Sequence, residues 1–168
     1  GISLHQAPYY IEKGLSPTNA ASIVTTFALG TAIGGLFWSA FVSRVSIRGA
    51  MGMAAVSMCL GDILIIRADT LVLGQIAALV FGVGLGGISF LLRLLWANYY
   101  GRTNLGAIRG VSHPIQVGGQ ASGPLIAGLI FDVTGSYRSA LFIFGFAAAI
   151  ASFLILLAHP PDLSKVRK

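Results

Sequence analysis

The sequence predicts an all-α integral membrane protein, and three observations lead to this fold class. Of the 168 residues, 55% are hydrophobic and only 10% are charged, whereas an average soluble domain carries about 25% charged residues. Polar side chains this scarce do not cover the surface of a water-soluble globule, and disorder needs the opposite composition. The 22 glycines also favour a membrane protein, because glycine is more frequent in membrane helices than in soluble ones.

Five continuous apolar stretches are long enough to cross a bilayer, since a membrane helix needs about 20 apolar residues. They cover residues 20–42, 49–66, 71–100, 107–131 and 139–158. The turn signal at 16–19 precedes the first, and the proline pair at 160–161, which cannot continue a helix, follows the last. Residues 1–11 have the composition of the end of a further span. Transmembrane strands are disfavoured, because they alternate polar and apolar residues over about 10 positions.

The basic residues stand singly between the apolar blocks, as they do in loops between membrane spans. This spacing argues against a nucleic-acid partner despite the net charge of +6. The second loop, the fourth loop and the tail carry seven basic residues, against three in the first, third and fifth loops. Because cytoplasmic loops carry the excess of Lys and Arg, we expect a cell-membrane protein with a cytoplasmic C-terminus. Residues 1–159 form the predicted membrane unit, and residues 160–168 form a basic cytoplasmic tail.

Five segments carry sequence motifs. They are residues 35–44 together with Arg48, 82–87, 96–102 followed by 105–110, 123–135, and 5–10 with 14–17. In that order they resemble motif A between helices 8 and 9, the glycine-rich middle of helix 10, the 10–11 loop, helix 11 with its exit, and the end of helix 7 in the major facilitator superfamily. The 10–11 loop resembles the monocarboxylate and oxalate/formate-type members. One departure is Ser43, which stands where motif A has an acid.

The resemblance implies the C-terminal half of a twelve-helix transporter. The chain would hold five full transmembrane helices, 8 to 12, plus the end of a truncated helix 7. It would be a fragment, and the missing N-terminal half would supply helices 1 to 6. The substrate site would lie near the midplane, between two halves that rock to alternate access. Helices 7 and 10 would face the cavity, and helices 9 and 12 would be peripheral. The expected partners are a small-molecule solute, the lipid bilayer and the missing half, with no cofactor and no metal.

The predicted helix 11 carries a polar stripe. His113, Gln116 and Gln120 recur at i, i+3 and i+7, which places them on one helical face, and Arg109 extends this stripe. The two glutamines either line the transport path or form interhelical hydrogen bonds. His113 binds substrate, relays protons or satisfies a backbone carbonyl beside a proline. Small residues recur every four positions on the opposite side, a spacing that lets helices pack closely.

Two further polar residues are candidates for substrate binding. Arg93 shares a face of the predicted helix 10 with Gly82, Gly86 and Ser89. It is either the partner of an anion, because a guanidinium grips a carboxylate with two parallel hydrogen bonds, or a side chain that snorkels to the interface. Gln6 lies where helix 7 would meet the cavity.

The function that these features favour is secondary active transport of a small organic solute, with a monocarboxylate or a related anion as the candidate. The alternative is a drug or metabolite efflux carrier of the same superfamily; a membrane-embedded enzyme or a structural membrane protein is less favoured.

Asp62 is the one mid-span acid, either a proton-coupling group or a structural contact. Intramembrane aspartyl chemistry needs two acids, and the three histidines are scattered singly. The sequence therefore predicts no enzyme.

Overall fold

The computed structural model describes residues 2–100, 105–135 and 137–157, and these residues form six α-helices. The helices are α1 (Ile2–Glu12), α2 (Pro17–Phe41), α3 (Ile47–Arg67), α4 (Leu71–Tyr100), α5 (Leu105–Thr134) and α6 (Tyr137–Leu157). No strand occurs in these ranges, so the all-α prediction is confirmed for them. The predicted basic tail at 160–168 lies outside the described residues.

Short capped turns begin the second and third helices. Pro17 occupies the first turn of α2, where its missing N–H is no loss, and the Ser16 hydroxyl accepts a hydrogen bond from the Asn19 N–H at 3.3 Å. Ser46 caps α3 in the same way, accepting from the Gly49 N–H at 3.1 Å. Each serine satisfies a backbone donor that the first helical turn leaves without a partner.

Three of the described helices, α2, α3 and α4, are long and apolar enough to cross a membrane. In α6 the apolar stretch is shorter, Arg138–Ala151. α5 has 30 residues but carries the polar stripe and two internal prolines, Pro114 and Pro124. Three of the five predicted spans are therefore candidate membrane helices by length and composition, and the number of five full spans stays a prediction.

α4 lies at the centre of the bundle and packs against both α2 and α3. Glycines make this approach possible, because a side chain would meet the backbone of the neighbouring helix. A methyl group on Gly82 would lie 2.6 Å from the carbonyl oxygen of Phe27 in α2. A methyl group on Gly84 would lie 2.7 Å from the carbonyl oxygen of Ala54 in α3. Small residues at this spacing allow the van der Waals packing that holds membrane helices together.

Trp38, three residues before the end of α2, is buried in the bundle. It is 4% exposed and belongs to a core cluster with Met51 and Leu91. Its indole N–H donates a hydrogen bond to the carbonyl oxygen of Val83 in α4 at 3.2 Å. A buried tryptophan whose N–H finds a partner packs as well as an apolar residue, so Trp38 joins α2 to α4.

The segment that resembles motif A has Ser43 in place of the acid. The Ser43 hydroxyl donates to the carbonyl oxygen of Ala40 at 2.8 Å, within its own segment. Arg48, at the start of α3, donates from Nε to the Tyr99 hydroxyl near the end of α4 at 3.1 Å. The serine therefore contributes a local hydrogen bond, and the arginine joins α3 to α4.

α5 is packed less closely than α4. It lies mainly against α6 and α1, and it contacts α4 lightly. A wide apolar face of α5 is exposed: Val111 is 71% exposed, Ile115 72% and Val133 86%. A methyl group on Gly110 or Gly118 would meet nothing within 4 Å. At Gly110 and Gly118, the predicted close packing is therefore not made with the residues that the structure describes.

Candidate functional site

A groove of about 410 Å³ separates the inner faces of α4 and α5. Its lining is Leu85, Ile88, Ser89, Leu92, Arg93 and Trp96 from α4, with Arg109, His113, Gln116 and Gln120 from α5. Four of the five residues that the sequence nominates for substrate binding thus face one another across one space. Gln6 is the exception.

The wall that α5 contributes is the polar stripe. Arg109, His113, Gln116 and Gln120 advance by four, three and four residues, so their side chains emerge on one face, and all four line the groove. Arg109, His113 and Gln120 are exposed, and Gln116 is half-buried. The hydrogen-bonding groups therefore reach the open space of the groove.

Arg93 is the charged residue of the α4 wall. Its Nε donates to the carbonyl oxygen of Ser89 at 3.0 Å, which fixes the side chain against its own helix. Among the described residues, no other hydrogen-bond partner of Arg93 is present. The sequence predicts a shared inward face for Gly82, Gly86 and Arg93. The two glycines are buried against α2, whereas Arg93 is exposed in the groove.

The electrostatics of the groove favour a negatively charged ligand. The lining holds two guanidinium groups, Arg93 and Arg109, and none of its described residues is an acid. Leu92, Ile88 and Trp96 supply an apolar wall beside these charges. Apolar walls with a few convergent polar groups are typical of small-molecule sites, and guanidinium groups match the planar geometry of a carboxylate.

Trp96 is a groove residue that the sequence analysis did not nominate. It lines the groove one helical turn beyond Arg93. The signal that could have found it is its spacing, because residues at i and i+3 share a helical face.

Gln6 lies in α1, outside the groove. Its side chain is 1% exposed, and neither its amide oxygen nor its amide nitrogen has a partner among the described residues. The Tyr10 hydroxyl, one turn further on, is buried and likewise lacks a described partner. The side chain of His5 lies outside the described residues. Gln6 is therefore buried outside the groove, and its role in substrate binding stays a prediction.

Asp62 is buried between α3 and α6, away from the groove. Its side chain is 3% exposed, and Oδ2 contacts the position of Gly145, where a methyl group would have no room. Among the described residues, Oδ1 has no hydrogen-bond partner. This position matches the structural contact that the sequence allows for Asp62.

Comparison with known proteins gives one family. The sequence model of the Major Facilitator Superfamily matches residues 3–168. The chain belongs to the major facilitator superfamily. Searches of curated proteins and of solved structures returned no significant match.

As a member of the major facilitator superfamily, the chain is a membrane protein and a transporter of that superfamily. Members of this superfamily are transporters and not enzymes, which agrees with the prediction that the chain is no enzyme. The monocarboxylate and oxalate/formate subgroup stays a prediction, as does the position in the C-terminal half.

Proposed function

We propose that the chain is the C-terminal half of a secondary active transporter for a small organic anion, of which a monocarboxylate is the simplest example. The observation that carries this proposal is the groove between α4 and α5, in which Arg93 and Arg109 face a space whose described lining includes no acid. A carboxylate that leaves water needs compensating charge and hydrogen bonds. Arginine supplies both, in a planar arrangement of donors.

Each polar residue of the groove has a separate role in this proposal. Arg93, fixed by its bond to Ser89, grips the carboxylate with its terminal nitrogens. Arg109 raises the local concentration of anions through its charge. Gln116 and Gln120 donate hydrogen bonds to the remaining oxygen atoms of the solute. His113 lies between Arg109 and Gln116 on the same face and is the candidate for proton coupling, because an imidazole ring can both accept and donate a proton.

The proposed partners are the solute, the bilayer and the N-terminal half of the transporter. The exposed apolar face of α5, represented by Val111 and Ile115, is suited to a neighbouring helix or to lipid. The glycines on that side, Gly110 and Gly118, leave room for a close approach. The loop charges support an orientation in the cell membrane with the C-terminus in the cytoplasm.

A second candidate is efflux of a neutral drug or metabolite by the same groove. Gln116 and Gln120, beside the apolar Leu85 and Ile88, would suit a neutral solute that forms hydrogen bonds. In this candidate function, Arg93 interacts only with the membrane surface. A substitution of Arg93 therefore distinguishes the two candidate functions.

The test is uptake by the full-length protein in liposomes across monocarboxylates, dicarboxylates and neutral compounds. For the best anion, Arg93→Gln should raise KM about 10- to 100-fold, because a hydrogen bond to a charged group contributes about 1.5–3 kcal/mol. Arg93→Lys keeps the charge but loses the paired donors, so its effect should be smaller. Arg67→Gln removes an exposed arginine outside the groove and outside the motif segments, and it is the matched control.

Near-normal KM for the anion in Arg93→Gln, at equal protein level, would contradict the anion site. Preferred uptake of neutral compounds, lost in Gln116→Ala and Gln120→Ala but not in Arg93→Gln, would favour the efflux candidate.

A further inference from the structure

Trp96 is a groove residue to which the proposed transport function gives no role. It follows Arg93 by three residues in α4, so the two residues share a helical face and lie about 4.5 Å apart along the axis. Trp96 is half-buried and lines the groove. Among the described residues, no other ring stacks on its indole and no cation lies over it. The indole therefore presents uncovered apolar surface to the groove.

Arg93 and Trp96 offer separate surfaces, because the arginine side chain is turned away from the tryptophan. The Nε of Arg93 donates to the carbonyl oxygen of Ser89 at 3.0 Å, and Ser89 lies four residues nearer the middle of α4. This hydrogen bond draws the guanidinium group towards the middle of the helix. The positive charge therefore lies on the side of Ser89, and the aromatic ring lies on the side where α4 ends.

Apolar side chains extend the surface of Trp96 along the α4 wall of the groove. Leu92, Ile88 and Leu85 line the same space, and all three are half-buried, so part of each side chain stays uncovered. The groove has a volume of about 410 Å³, which lies within the range of about 300–1,000 Å³ that is typical of small-molecule sites. A carboxylate that carries only a methyl group would contact Arg93 and leave most of this wall uncovered.

We propose that the solute is an aromatic carboxylate, whose carboxylate group binds Arg93 and whose ring packs against Trp96. This inference rests on the proposed transport of an organic anion and names the class of that anion. Aromatic rings attract one another in offset-stacked and edge-to-face arrangements beyond the effect of the area that they bury. Arg93 recognises the charge in this arrangement, and Trp96 determines which anions are preferred.

The experiment measures Kd by isothermal titration calorimetry with the purified full-length protein in detergent. The probes are phenylacetate, cyclohexylacetate with its saturated ring of similar size, acetate, and the neutral 2-phenylethanol. We expect phenylacetate to bind about 2- to 10-fold more tightly than cyclohexylacetate, because only the aromatic ring stacks on the indole. Acetate should bind more weakly than both, because it buries less apolar surface.

Substitutions of Trp96 separate the ring from the charge. Trp96→Leu should remove the preference for phenylacetate over cyclohexylacetate and leave the affinity for acetate unchanged. Trp96→Phe keeps an aromatic ring and should keep most of the preference. Arg93→Gln should weaken the binding of all three acids by a similar factor, because they share the carboxylate.

Phe90→Leu is the matched control for Trp96→Leu. Phe90 is a half-buried aromatic residue of the same helix, and it lies outside the described lining of the groove. Its substitution should leave the affinities for all the probes unchanged. Circular dichroism and thermal unfolding establish that each variant is folded.

Equal affinity for phenylacetate and cyclohexylacetate would overturn this inference, as would a full preference in folded Trp96→Leu. In both cases, binding of the acids that depends on Arg93 would leave the proposed anion transport standing. Binding of 2-phenylethanol as tight as that of phenylacetate, and unaltered in Arg93→Gln, would contradict the anion site itself and this inference with it.

Discussion

α4 and α5 have the same length, 30 residues, and both are rich in glycine, yet their surroundings differ. α4 is wedged between α2 and α3, and its glycines lie against the backbones of both neighbours. α5 lies at the side of the bundle, and Gly118 has open space where a side chain would be. Glycines at helical spacing therefore indicate that a close approach is possible, but they do not indicate which neighbour makes it.

The polar residues of the two helices explain part of this difference. Gly82 and Gly86 have no side chain, so burying them against α2 leaves no polar side chain of their own without a partner. α5 carries Arg109, His113, Gln116 and Gln120 on one face, and burial of such groups is unfavourable without hydrogen-bond partners. That face instead lines the groove.

The largest effect should come from filling the contact between α4 and α2. Gly82→Ala places a methyl group 2.6 Å from the Phe27 carbonyl oxygen and 3.0 Å from the Thr31 nitrogen. Both are backbone atoms, so the helices must separate, and overpacking of this kind costs about 1–3 kcal/mol. We expect a lower midpoint of thermal unfolding in detergent, followed by circular dichroism.

Gly118→Ala in α5 is the matched control for this substitution. Its methyl group meets nothing within 4 Å, and alanine favours a helix over glycine by about 1 kcal/mol. The unfolding midpoint should therefore stay the same or rise. Equal loss of stability in the two variants would show that α4 and α5 are packed alike, and the comparison would be wrong.

An intermediate effect should follow from Trp38→Phe. The substitution removes the indole N–H and leaves the Val83 carbonyl oxygen without the donor that lies at 3.2 Å. The loss of such a hydrogen bond costs about 0.5–1.5 kcal/mol, and the smaller ring leaves additional space. Trp96→Phe, in the groove wall of the same bundle, is the control for stability, because Trp96 is half-buried. Similar unfolding midpoints for both variants would remove Trp38 as the link between α2 and α4.

The smallest effect concerns the turn that leads into α4. Burial alone would lower the pKa of Lys13, but its hydrogen bonds to Asp69 and Tyr9 and its charge interactions with them outweigh burial and raise that pKa above 10.5. A raised pKa in the folded state means that the pair stabilises the fold below pH 10.5 and that this contribution is lost as the pH rises through the folded-state pKa. The pair is partly exposed, so its contribution is about 1 kcal/mol or less.

Asp69→Asn should therefore lower stability slightly at neutral pH and reduce the loss of stability above pH 10.5. Unfolding midpoints between pH 7 and pH 11 measure both effects. Glu12→Gln, which changes an exposed acid on the same side of the bundle, should leave the profile unchanged. An unaltered alkaline profile in Asp69→Asn would contradict the assignment to this pair.

The local features of the fold followed from the sequence, because each depends on neighbouring residues. Ser16 and Pro17 mark the start of α2, and the spacing of His113 and Gln120 places them on one face. The partners of a helix depend on residues distant in the chain, and these the sequence indicated less well. Tryptophan as a residue type is frequent at membrane interfaces. The position of Trp38 opposite the Val83 carbonyl oxygen follows only from the packing of α2 on α4.

In the candidate site, too, the features that depend on local spacing were predicted and those that depend on helix packing were not. Periodicity predicted the stripe of His113, Gln116 and Gln120 along α5, and Arg93 was predicted as a candidate in the preceding helix. The structure places these four residues around one groove. Gln6 has the same chemical character as the glutamines of α5, but α1 is too short in this sequence to reveal which face it presents. Only the packing shows that Gln6 is buried away from the groove.

The two prolines of α5 have a mechanical consequence for the groove. Proline has no N–H to donate, so Pro114 leaves the carbonyl oxygen of Gly110 without its helical donor, and Pro124 does the same for Gln120. A helix bends most easily at such positions. α4 is held by close backbone contacts, whereas α5 can flex at two points along the groove. Arg93 therefore lies on the rigid wall of the groove, and the polar stripe of α5 lies on the wall that can bend.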